Sequence, residues 1–89
     1  MEEQEIYERA LDKWGIRAQT MMVFEEMAEL QKEICKNWRG ANNADQIAEE
    51  IADVEIMLAQ LKMIYGIADD ARRYKEQKLK RLVDRLQEL

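Results

Sequence analysis

The sequence predicts an all-α protein, a four-helix bundle built on a central antiparallel helical hairpin, from three observations. Proline is absent and only three of the 89 residues are glycine. Apolar residues recur every three and four positions, with no strand-like alternation. Charged residues make up 37% of the chain, a composition typical of long helices. The glycines divide the pattern. A first helix covers roughly 2–14, with Ile6, Ala10 and Trp14 on one face, and Gly15 interrupts it. A long second helix runs from Arg17 to Trp38, until "RGANNAD" breaks it. In that stretch Gly40 is the expected C-cap, and Asp45 the N-cap of a third helix ending at Tyr65. Gly66 separates a fourth helix, which starts at Asp69 or Asp70 and runs to the C-terminus. No repeat, linker or low-complexity tract divides the chain, so residues 1–89 read as one domain.

Charge and composition narrow the function. The net charge of −5 conceals an asymmetry: "RRYKEQKLKRLVDR" (72–85) carries +5, leaving −10 on the rest. Most of the surface would repel free nucleic acid. No apolar run is long enough to span a membrane, and the acidic opening "MEEQEIYERA" lacks the apolar core of a signal peptide. The single cysteine, Cys35, cannot form an internal disulfide and reads as a small buried hydrophobe, in keeping with a cytoplasmic protein. The absence of histidine removes imidazole catalysis and the Glu-x-x-His pattern of di-iron bundles.

Helical wheels show that the two central helices are apolar on two sides. In the second helix Val23, Met27, Leu30, Ile34 and Trp38 form one stripe. Met21, Phe24, Ala28 and Cys35 form another, roughly 100° away at about 100° per residue. The third helix has Ile47, Val54, Met57, Leu61 and Ile64 on one face, and Ala48, Ala52, Ile56, Ala59 and Met63 on a second. One small chain cannot cover all four faces, so a homodimer or dimer of dimers is expected, with these helices at its centre.

The heptad of the third helix contains a carboxylate. Glu50 occupies a position that Met57 and Ile64 otherwise hold, and Asp53 sits at the stripe's edge. On the second helix Glu26 borders the first stripe and Glu29 lies a turn further on. Each pair has i,i+3 spacing, which places its members on neighbouring turns of one side. Glu26 with Asp53 and Glu29 with Glu50 share one midpoint, between Arg39 and Gly40 in the expected connection. In an antiparallel hairpin all four can therefore face one another, about 15 Å from its tip at 1.5 Å per residue. Four carboxylates in a partly dry volume either gain protons or gather cations. An all-oxygen set favours Mg²⁺, with Mn²⁺ as a substitute. Glu33, Glu49 and Glu55 fall on polar arcs and read as solvated.

"EEMAE" (25–29), twenty residues, then "EIAD" (50–53) resembles the Glu-Glu-x-x-Glu … Glu-x-x-Asp signature of MazG-like all-α nucleoside triphosphate pyrophosphohydrolases. The likeness continues into "ELQKEICKNWRG" and "EEIADVEIMLAQL", typical of short phage- or prophage-type members. It implies Mg²⁺-dependent hydrolysis of a (deoxy)nucleoside triphosphate to the monophosphate and pyrophosphate, a nucleotide house-cleaning activity. It assigns the metal ligands and catalytic carboxylates to Glu26, Glu29, Glu50 and Asp53, with Glu25 also within the motif. The triphosphate needs cationic donors. Lys75 and Lys78 lie on or beside the apolar face made by Ala71, Leu79, Leu82, Leu86 and Leu89, and Lys78 with Arg81 matches a family Lys-x-x-Arg context. Trp14 is a candidate to stack on the base, and Trp38 reads as core. No histidine follows the aspartate, which argues against the phosphoribosyl-ATP branch. A dimeric dUTPase or dCTPase has the same chemistry. A rival of another class is a non-catalytic helical module docking an acidic partner through its basic last helix.

Overall fold

The computed structural model describes residues 1–88, and they form three helices and no strand. The helices are α1 (Glu3–Trp38), α2 (Ala44–Tyr65) and α3 (Ala68–Leu86). The first two expected helices are one run, bent at Gly15. Gly15 has φ 89° and ψ 160°, a conformation outside any helix that glycine adopts with little strain. At the other turn, Gly66 ends α2 in the left-handed region, φ 64°. There the backbone N–H groups of Gly66 and Ile67 donate to the carbonyls of Met63 and Lys62.

α1 and α2 pack as an antiparallel hairpin, and its contact is partly polar. Val23 and Met57 are the buried apolar side chains among the described residues. Between α1 and α2, Gln19 Nε2 donates to Gln60 Oε1 at 2.7 Å, and both residues are buried. These glutamines share the midpoint of the acid pairs and lie seven residues, about 10 Å, below Glu26 and Asp53. Near the tip α2 starts at Ala44, one residue before the expected Asp45 cap. Asn43 precedes it without capping it: its Nδ2 donates instead to Glu33 O at 2.9 Å and Glu33 Oε1 at 3.1 Å.

Two expectations of burial change within the single chain. Cys35 is exposed, and Trp38 is 86% exposed. Cys35 lies on the second stripe of α1, which no described residue covers; Trp38 ends the helix at the open tip of the hairpin. α3 stands apart: it meets α2 over a short stretch, and its backbone keeps clear of α1 among the described residues, although Lys75 shares a cleft with Glu3 and Tyr7. Leu79, Leu82 and Leu86 on its apolar face are at least half exposed, and Leu89, assigned to the same face, lies outside the described residues. The radius of gyration is accordingly 16.3 Å, against about 12 Å for a compact chain of this length.

Asn43 holds the hairpin tip through two bonds, one of them to a carboxylate. Asn43→Ala should cost about 2 kcal/mol in urea unfolding at fixed protein concentration. A loss below about 0.5 kcal/mol, the level of an ordinary surface substitution, would show that this latch does not hold the tip.

Candidate metal centre

The hairpin brings together three of the four predicted acids. Carboxylate oxygens of Glu26, Glu50 and Asp53 all lie within 4.8 Å of one another. Glu26 and Glu50 are half-buried and Asp53 is exposed. Adjacent oxygens of an octahedral Mg²⁺ site are about 3 Å apart and opposite ones about 4 Å, so oxygens up to 4.8 Å apart must close by about 1–2 Å to share one ion. Glu29 lies outside the triad. It is exposed, and its carboxylate is 4.0 Å from Lys32 Nζ. Its charge nevertheless reaches both Glu26 and Glu50, which places it at the rim.

The electrostatics are those of a site short of positive charge. Burial pushes the Glu26 carboxyl above the ordinary glutamate range, and the charges of Asp53, Glu50 and Glu29 push it further. Glu50 is raised for the same first reason, with Asp53, Glu29 and Glu33 adding to it. Glu50 Oε2 is buried and has no hydrogen-bond partner among the described residues. Such an orphaned carboxylate oxygen is costly, and a divalent cation would satisfy it. The donor set, the spacing and this oxygen therefore fit Mg²⁺ or Mn²⁺.

Glu33 corrects one expectation. It reads as a solvated acid on a polar arc, yet it is buried. The bond from Asn43, then Lys36 with its Nζ 3.2 Å away, hold its carboxyl below the ordinary range. Glu33 is thus compensated where Glu50 is not. The wheel missed it because its partner comes from the connection, where helical register no longer applies. The Gln19–Gln60 pair was also missed, although its midpoint matched that of the acids.

The remaining predicted residues are not members of the triad. Trp14 is exposed beside the Gly15 bend, with Lys13 Nζ 5.3 Å from its ring centre. It borders a largely apolar hollow that also takes in Ala18, Gln19, Met22 and Met57. Lys75 lines a different cleft, against Ala52, Glu55, Ile56 and Leu58 of α2 and Glu3 and Tyr7 of α1. Lys78 and Arg81 border hollows made by α3 residues alone.

No protein family, curated protein or solved structure matches the chain.

The raised carboxyls link pH to stability. In the metal-free protein Glu26 and Glu50 keep protons that the unfolded chain releases. Their contribution is full below the ordinary value of 4.5 and is lost as pH rises through their higher folded values. Glu33 acts oppositely, losing its contribution as pH falls below 4.5. In EDTA the melting temperature should therefore fall from mildly acid to neutral pH, and Mn²⁺ should restore it. Glu50→Gln should flatten that slope and remove the Mn²⁺ effect. Equal slopes in the parent and the variant would contradict the assignment.

Proposed function

We propose that this chain is a metal-dependent nucleoside triphosphate pyrophosphohydrolase of the MazG-like kind. The observation that carries the reading is the triad of Glu26, Glu50 and Asp53 at one level of the hairpin, with an orphaned oxygen on Glu50. These residues belong to the two half-motifs in which the resemblance lies. Glu26, Glu50 and Asp53 would hold Mg²⁺, with Glu29 in reach. The bound cation would neutralise charge on the phosphates and make the α-phosphorus more electrophilic.

The chain's own groups do the rest. Glu29, exposed at the rim, takes a proton from the attacking water. The water oxygen bonds to the α-phosphorus, the α–β phosphoanhydride breaks, and pyrophosphate leaves. The sequence has no phosphate-cradling glycine-rich loop, so the substrate would be held through its phosphates by a cation bound to the acids and by basic side chains. Self-association, as a dimer or dimer of dimers, covers the second apolar faces and completes a four-helix bundle. A non-catalytic docking module would account for a free basic α3, but it gives no role to acids set into the packed seam.

With Mg²⁺, at least one (d)NTP should yield pyrophosphate, read by separating monophosphate from diphosphate products. Asp53→Ala or Glu29→Ala should lower kcat about a hundredfold or more, about 3 kcal/mol of barrier. Lys78→Ala should cost less, because water and the cation partly replace a point charge near mobile phosphates. Orthophosphate as first product, or full activity in Asp53→Ala, would overturn the mechanism.

A further inference from the structure

α1 carries a polar residue at one heptad position three times running. Gln19, Glu26 and Glu33 are each seven residues apart, so they share one face to within about 40° at about 100° per residue. That face is the seam of the hairpin: Gln19 and Glu33 are buried, and Glu26 is half-buried. α2 answers at matching levels. Gln60 and Asp53, also seven residues apart, stand opposite Gln19 and Glu26. The Gln19–Gln60 pair therefore lies one heptad, about 10 Å, from Glu26 and Asp53 and on the same two faces.

Stability alone does not account for this pair. Two buried amides give up water to bond each other, and two apolar side chains of the same shape would pack there at little or no cost. What the pair adds is direction. Apolar contacts tolerate sliding and turning, and Val23 and Met57 are the buried apolar side chains among the described residues. The bond from Gln19 Nε2 to Gln60 Oε1, at 2.7 Å, restricts both motions. Sliding or turning either helix far enough to part the carboxylates would leave two buried amides unpaired, a costly outcome. A single polar contact in a helical seam specifies register in this way. The acids need such a restraint. Like charges on Glu26, Glu50 and Asp53 drive the two helices to turn apart, and Asp53, already exposed, has solvent to turn into.

We infer that Gln19 and Gln60 are positioning residues of the candidate metal centre: their bond holds the register and facing of α1 and α2 against the repulsion of the acids, so that Glu26, Glu50 and Asp53 meet before any cation arrives. The inference rests on the metal-site reading above and adds what preforms the site. Neither glutamine is a ligand; both act through the helices that carry the ligands.

The Gln19→Met/Gln60→Met double variant tests this, because methionine keeps the length of glutamine and removes its polar groups. No buried amide is left unpaired, so the urea midpoint should match or exceed that of wild type. Mn²⁺ affinity, read by calorimetry without urea, should nevertheless fall about tenfold or more, the usual cost of losing a residue that orients a metal's ligands. A purely structural pair predicts affinity that follows stability. Wild-type Mn²⁺ binding by the folded double variant would overturn this inference alone and leave the metal site standing. A second measurement uses the wild-type chain and needs no variant to fold. By nuclear magnetic resonance, the Gln19 Nε2 protons should resist exchange with solvent in EDTA and stay protected when Mg²⁺ is added. Free exchange in EDTA would overturn the inference, whether or not Mg²⁺ then protects them, because the cation would be making the pair. If wild type binds no Mn²⁺, the metal-site reading fails and the positioning role falls with it.

Discussion

The structure turns on a single constraint: carboxylates set into the packed contact between two helices must be compensated. Glu50 holds a heptad position that Met57 and Ile64 hold elsewhere on α2, and Glu26 faces it from α1. Burial raises both carboxyls, and the neighbouring acids raise them further. An apolar side chain of the same size would pack there at less cost, so stability alone does not account for the acids. A divalent cation would remove the penalty and would give the acids a purpose.

The seam shows what compensation looks like when it is supplied from within. Gln19 and Gln60 satisfy each other one heptad below the acids. Near the tip, Asn43 and Lys36 satisfy Glu33. Between these pairs lies an acidic group in which Glu26 and Glu50 are pushed upward by burial and by their neighbours' charges. The flanking bonds fix the register, so the acids are held together by their neighbours in spite of their mutual repulsion. That is the arrangement a binding site requires, with the scaffold bearing the strain.

The helices were legible because a proline-free chain with three glycines leaves few places to turn. All three glycines mark ends or bends, with Gly15, Gly40 and Gly66 at positive φ. The triad was legible too, because two i,i+3 pairs with a common midpoint come to one level of an antiparallel hairpin. Glu29 fell outside because equal level does not mean equal facing: its wheel position points past the seam, toward Lys32. The buried state of Glu33 was illegible, since Asn43 reaches it from a connection whose path no periodicity sets. The position of α3 was hidden for another reason. An amphipathic helix announces that it needs a partner, and the pattern does not say whether that partner is its own chain.

Binding of Mn²⁺, followed by loss of the free-ion signal in electron paramagnetic resonance, tests the central claim most directly. The wild-type chain should bind Mn²⁺ with Mg²⁺ as competitor, and Glu50→Gln should lose that binding while its circular dichroism stays helical. Equal Mn²⁺ binding by wild type and a folded Glu50→Gln chain would contradict the claim that the acids in the seam form a metal site.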